Sequence, residues 1–153
     1  MQFNIDLNKL QKSYRLIQAE IHPDKFVSAS QIEKQQSLIK SKEVNDAYQT
    51  LKDPIKRAKY LIQINLKSEQ NDSALPPDFL MQQMEWEEHL EAIEKNNSEL
   101  FQFKLTINKK YEEYSFLLSS QIDDDQNWSD AAITIDKLYF VEKLLHKINN
   151  VLN

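Results

Sequence analysis

Ala19-Glu20-Ile21-His22-Pro23-Asp24-Lys25-Phe26-Val27-Ser28-Ala29-Ser30-Gln31-Ile32-Glu33 is the stretch on which the fold turns. Pro23 ends whatever helix precedes it, because the residue before a proline avoids the helical region. Ser30 with Glu33 three positions on forms the pattern of a capping box, so a second helix begins there. The segment His22–Ala29 between them reads as a loop, and so short a connection forces its two helices to pair antiparallel. Upstream, Asp6 can cap the first helix, whose apolar positions are Leu7, Leu10, Tyr14, Ile17 and Ile21. Downstream, the second helix runs to about Lys52 and offers Ile32, Ile39, Val44, Ala47, Tyr48 and Leu51 for burial. Asp53 then reads as a cap with Pro54 at the first helical position, opening a short third helix that ends near Ile64.

Farther out, Asn65–Pro77 is polar and closes on Pro76-Pro77, the composition of a linker or domain boundary. Three amphipathic segments follow. Asp78–Lys95 carries a core stripe of Phe79, Trp86, Leu90 and Ile93. Glu99–Gln121 carries Leu100, Phe103, Ile107, Tyr111, Tyr114 and Leu118, alternately three and four apart. Asp123–Asn127 is a turn, and a last helix starts at about Trp128 with Asn127 or Ser129 as its cap. Its stripe is Trp128, Ala131, Ile135, Leu138, Val141, Leu145, Ile148 and Leu152. Helices with such short connections pack as an antiparallel bundle. The expected fold class is all-α, a helical hairpin over residues 1–66, a linker over 67–77 and a three-helix bundle over 78–153.

Composition narrows the function. The 153 residues contain neither Gly nor Cys. Gly-rich phosphate loops and nucleophile elbows are therefore excluded, as are disulfides, thiolate metal sites and cysteine nucleophiles. His22, His89 and His146 stand apart, with no H-E-x-x-H to bring two of them onto one metal. Asp123-Asp124-Asp125 lacks the Gly and distal Glu of an EF-hand loop, and Glu85, Glu87 and Glu88 fit the solvated face of a charged helix better than paired catalytic acids. The expectation is a protein that is not an enzyme, with no cofactor and no metal. No apolar run is long enough to span a membrane, and the N-terminal residues fit neither a signal nor a transit peptide, so a cytosolic location is expected. Residues 1–66 hold 11 Lys and Arg against 7 Asp and Glu, whereas the remainder holds 8 against 17. Two halves of opposite sign suit two partners of different character, and the acidic second half argues against nucleic acid.

The order of motifs adds to this reading. His22-Pro23-Asp24-Lys25-Phe26 lies between Tyr14-Arg15-Leu16-Ile17 and Val44-Asn45-Asp46-Ala47-Tyr48, with Leu51-Lys52-Asp53-Pro54-Ile55-Lys56-Arg57-Ala58 beyond. Taken together these resemble a J domain, whose family fold is a helical hairpin with the His-Pro-Asp loop at its tip. Phe79-Leu80-Met81-Gln82-Gln83-Met84-Glu85-Trp86 and Lys137-Leu138-Tyr139-Phe140-Val141-Glu142-Lys143-Leu144 resemble the C-terminal domain of HscB-type J-domain co-chaperones, and the likeness covers nearly the whole chain. The absence of a Gly/Phe-rich linker and of a Cys-rich zinc module separates the chain from the general DnaJ form.

That resemblance implies two partners and no nucleic acid or membrane. The first is a DnaK-class chaperone of the HscA type, engaged by His22, Pro23, Asp24 and Lys25 with Lys12 and Arg15 beside them. Physical chemistry agrees with this assignment. Pro23 rigidifies the loop, Asp24 offers a carboxylate to a partner arginine, and the cations of the first helix steer toward an acidic surface. The second partner is an iron–sulfur scaffold of the IscU type, whose matching contacts are Leu80, Met81, Met84, Glu85, Glu88 and Phe140. Leu80, Met81 and Met84 fall off the core stripe of their helix, and Phe140 is about 200° from Leu138 on its own, so all four are expected outside the core. The chain departs from the family pattern at Glu20, commonly basic, and at Ala92, commonly acidic, and the family's additional short first helix has no full counterpart.

Overall fold

The computed structural model describes residues 2–66 and 75–152; most of the 67–77 linker expected from sequence lies outside the described residues. The described residues form α-helices with no strand. They are α1 (Leu7–Ile21), α2 (Gln31–Lys52), α3 (Pro54–Asn65), α4 (Pro77–Ile93), α5 (Asn97–Ser119) and α6 (Trp128–Leu152). The chain divides into two compact units, Met1–Tyr60 and Leu61–Asn153.

The helix starts follow from local side-chain chemistry. The Asp6 carboxylate accepts from the Asn8 and Lys9 amides at 2.9 and 3.1 Å, which satisfies donors the first turn of α1 leaves open. Ser30 and Glu33 form a full capping box on α2: the Glu33 amide donates to the Ser30 hydroxyl and the Ser30 amide to the Glu33 carboxylate. Asp53 accepts from the Lys56 amide at 2.9 Å to begin α3. Asn127, rather than Ser129, caps α6 by accepting from the Asp130 amide. Asn96 does the same for α5 through Glu99.

In the first unit α1 and α2 pair antiparallel along a seam that is largely polar. Ser37 donates to the Ile21 carbonyl at 2.6 Å, and Gln18 and Ser41 exchange two hydrogen bonds at 3.0 and 2.9 Å. The Tyr14 hydroxyl donates to Asn45 at 3.2 Å, and the Tyr14 ring stacks on Tyr48 with centroids 4.1 Å apart. No α1 residue is buried, and Ser37 is the single buried residue of α2. The apolar stripe expected of α1 is therefore exposed in part: Leu7 and Ile17 remain 50% and 43% accessible. The unit's buried apolar side chains are Phe3, Ile55 and Ala58. Arg57 is buried with them. Its Nε donates to the Phe3 carbonyl at 2.8 Å, a second nitrogen donates to the Leu51 carbonyl, and the guanidinium stands 5.0 Å from the Phe3 ring centroid.

In the second unit α4, α5 and α6 pack on one another. Phe79 meets Tyr114 while His89 meets Phe103, so α5 runs antiparallel to α4. Trp86 meets Phe140 while Glu87 pairs with Lys147, so α6 returns parallel to α4. The core joins Phe79, Trp86, Leu90 and Ile93 to Leu100, Phe103, Ile107, Val141, Leu144 and Ile148. The expected stripe of α4 is thus the observed one, and that of α5 is buried at Leu100, Phe103, Ile107 and Leu118 with Tyr111 and Tyr114 half-buried; on α6 Leu144 is buried where Leu145 was expected to be, and Leu145, Trp128 and Leu152 lie half-buried at the margin. α5 continues into a π-helical turn, Ser120–Asp124, that tucks Ile122 into the interior. Gln126 then takes a left-handed backbone at φ 52°, the position a glycine usually fills in chains that have one.

Candidate functional site

The tip of the hairpin is more ordered than a plain loop. Pro23–Phe26 makes one turn of 3-10 helix, with Pro23 at its first position and His22 as its cap. His22 Nδ1 accepts from the Asp24 amide at 3.3 Å, and the Lys25 amide donates to the His22 carbonyl at 3.0 Å. A ring nitrogen that accepts a backbone N–H carries no proton of its own, so in this arrangement the imidazole proton is on Nε2. The 3.4 Å approach of Nδ1 to an Asp24 oxygen is accordingly proximity within the turn and not an ion pair in that tautomer. The Asp24 side chain is 88% exposed, and His22 is half exposed. Pro23 fixes the backbone between an outward carboxylate and a ring held against the turn. The loop therefore presents an acceptor and a donor with little entropy left to lose on binding.

Two shallow grooves flank α1. One is lined by Asn8, Gln11, Lys12, Arg15 and Leu16. The other lies over the seam and joins Arg15, Gln18 and His22 to Leu38 and Lys42 of α2. The structure thus brings Arg15 and His22 into one groove and places Lys12 in the other, with Arg15 shared. Lys25 is exposed on the loop. Sequence reading missed Leu38 and Lys42. Their spacing of four places them on one face of α2, and Leu38 is 61% exposed, so the signal was a basic–apolar pair on the loop side of that helix.

On the bundle, Met81, Met84 and Glu88 share the outward face of α4, opposite Phe79, Trp86 and Leu90, with Leu80 on its flank. Met81 and Met84 are 63% and 64% accessible, and Leu80 is 46%. Glu85 lies at the edge of this face, where it accepts from the Gln82 side chain at 2.9 Å. Phe140 departs from expectation. It is half-buried against the core, stacked on Trp86 and edge-on to Phe79, with centroids 6.3 and 6.0 Å apart. α6 packs against both other helices, so its buried arc is wider than a single stripe and reaches Phe140 on the α4 side. Among the described residues no group of His, Asp or Glu is arranged to hold a metal, and no helix is long and apolar enough to cross a membrane.

A His-Pro-Asp turn at the tip of an antiparallel helical hairpin, with cations along its first helix, defines a J-domain protein. Comparison with known proteins agrees. Residues 2–60 match the DnaJ domain family, and residues 75–149 match the family described as the HSCB C-terminal oligomerisation domain. The co-chaperone protein HscB homolog of Neisseria gonorrhoeae is 40% identical over 157 residues, covering 98% of this chain and 92% of the relative. That of Photobacterium profundum is 36% identical over 156 residues, covering 98% and 90%. Among solved structures, the chaperone HscB from Vibrio cholerae superposes with a TM-score of 0.85 at 34% identity, covering 98% of this chain and 90% of that one. The human co-chaperone protein HscB gives 0.87 at 30% identity, covering 97% and 76%. The chain belongs to the HscB family of J-domain co-chaperones.

Proposed function

We propose that this protein stimulates ATP hydrolysis by a DnaK-class chaperone of the HscA type and delivers to it an IscU-type scaffold during iron–sulfur cluster assembly and transfer. The observation that carries the reading is the Asp24 carboxylate, held outward by a turn that the Asp24 and Lys25 amides close onto His22. A carboxylate on a pre-organised turn suits bidentate capture by a partner arginine. Arg15, Lys12 and Lys25 beside it favour encounter with an acidic surface. The hydrolysis belongs to the chaperone; this chain supplies the loop that engages it and no reacting group. In this reading residues 1–66 act on the chaperone, 67–77 connect, and 78–153 hold the client, all in the cytosol and without nucleic acid or membrane.

The scaffold rests on Leu80, Met81 and Met84, with Glu85 and Glu88 at the rim, and Phe140 supports the face from the core. Thioether side chains adapt to a partner groove at low cost, and rim acids act mainly on encounter rate and salt dependence. Phe140→Ala would open the aromatic cluster, so it cannot separate binding from folding. The test uses two variants of the full chain whose circular dichroism matches wild type. Asp24→Asn is expected to abolish stimulation of the chaperone's ATPase with scaffold affinity unchanged. Met81→Ala/Met84→Ala is expected to weaken scaffold binding about thirtyfold, two central apolar truncations at about 1 kcal/mol each, with basal stimulation unchanged. Full stimulation by Asp24→Asn would refute the chaperone assignment. Unaltered calorimetric affinity in the methionine variant would place the client elsewhere.

A further inference from the structure

The side of α5 that faces away from the core carries large apolar residues that the bundle does not use. Phe116 is 79% accessible, Phe101 53% and Leu105 49%. At 100° per residue, Leu105, Lys109, Glu112 and Phe116 fall within a 60° sector centred opposite Phe103 and Ile107, and Phe101 lies at its edge. The neighbouring Lys110 and Glu113 pair with one another at 2.7 Å to one side of this sector. Lys109 and Glu112 lie inside it, between two apolar ends. The face is separate from the methionine face of α4.

The order Leu105, Lys109, Glu112, Phe116 is its own complement when reversed. If a second α5 lies antiparallel with the two-fold axis between positions 110 and 111, Leu105 falls opposite Phe116 and Lys109 opposite Glu112. Both pairings then occur twice. Parallel pairing would set Lys109 against Lys109 and Glu112 against Glu112, which like-charge repulsion disfavours. A symmetric interface must be self-complementary in this sense. The matching family is described as an oligomerisation domain, with no face specified.

We propose that a second copy of this chain docks antiparallel on the outer face of α5, with Leu105 against Phe116 and Lys109 against Glu112 of the other copy. The pair is weak, since only a narrow stripe is apolar and its centre is charged.

The chain has no cysteine, so introduced ones report this geometry cleanly. Leu105→Cys and Phe116→Cys are made as separate full-length proteins, both at exposed sites. Under mild oxidation the mixture is expected to give the mixed disulfide. Each protein alone is expected to give little, because like positions stand 11 residues of helix apart, about 16 Å. Self-linking of either protein alone at the rate of the mixture would overturn the antiparallel register. Sedimentation equilibrium provides the second measurement. Lys109→Glu is expected to weaken wild-type self-association at least tenfold, and Lys109→Glu/Glu112→Lys to restore it. A wild-type chain that stays monomeric up to about 1 mM, or a double variant no better than the single, would refute the proposal. ATPase stimulation by Lys109→Glu at concentrations where the chain is monomeric tests the chaperone reading separately.

Discussion

Between α1 and α2 the side chains that meet include Gln18, Ser37, Ser41, Asn45 and two stacked tyrosines. Between α5 and α6 they include Leu100, Ile107, Val141, Leu144 and Ile148, each buried. The first pairing is directional and wet at its margins; the second is close-packed and dry. A partly exposed hydrogen bond gives a net gain of about 1 kcal/mol, and a fully buried aliphatic side chain two to three times that. The lesson is one of division of labour. The bundle supplies the stability of its unit, whereas the hairpin holds its His-Pro-Asp turn with little core of its own.

This contrast makes predictions of graded size. The largest concerns Leu138, which has no accessible surface. Leu138→Ala should destabilise the second unit by about 3 kcal/mol or more in urea unfolding, whereas Ile17→Ala on α1 should cost below about 1 kcal/mol. Equal losses would erase the distinction. A middle effect is expected at the seam. Gln18→Ala removes both hydrogen bonds to Ser41, leaving its hydroxyl without the Gln18 acceptor, and should cost about 1–2 kcal/mol, read as faster amide hydrogen exchange in α1 and α2 with α4–α6 unaltered. Uniform acceleration across both units would show that they unfold as one.

The smallest effect sharpens the bundle side. Burial raises the Tyr114 hydroxyl pKa above its ordinary value of 10, a shift opposed by Lys110 and aided by Glu113 and Asp78. The folded state therefore holds this proton more tightly than the unfolded chain does. Stability is full below pH 10 and falls as pH rises toward the folded value. Tyr114→Phe should flatten part of the alkaline limb of a pH–stability curve. An unchanged limb would assign that loss to other groups.

What the sequence made legible was mostly local or strongly periodic. Asp6, Ser30 with Glu33, and Asp53 cap their helices with atoms two or three residues away, so no tertiary context was needed. Phe79, Trp86, Leu90 and Ile93 stand on one side of α4 and are all buried. Periodicity failed where burial depends on the partner. The apolar stripe of α1 met a polar stripe on α2, a match that single-helix analysis cannot see, so Leu7 and Ile17 stayed exposed. On α6, the burial of Leu144 and Phe140 reflects two neighbouring helices rather than one. At the candidate site, the loop residues were legible from their motif, and the outward placement of Leu80, Met81 and Met84 from helical phase. Leu38 and Lys42 were not, because their place beside His22 exists only once the hairpin has closed.

The seam between α1 and α2 bears on how the tip behaves under load. A shift of one helix along the other by a single turn, 5.4 Å, would break the Tyr14–Asn45 bond, both Gln18–Ser41 bonds and the Ser37–Ile21 bond together. The two helices can fray, but they have no cheap way to slide. A pull or torque applied at Asp24 is therefore passed down both helices as along a rigid lever instead of being lost to slippage, and the carboxylate is held at one height and one angle for the partner proposed to engage it.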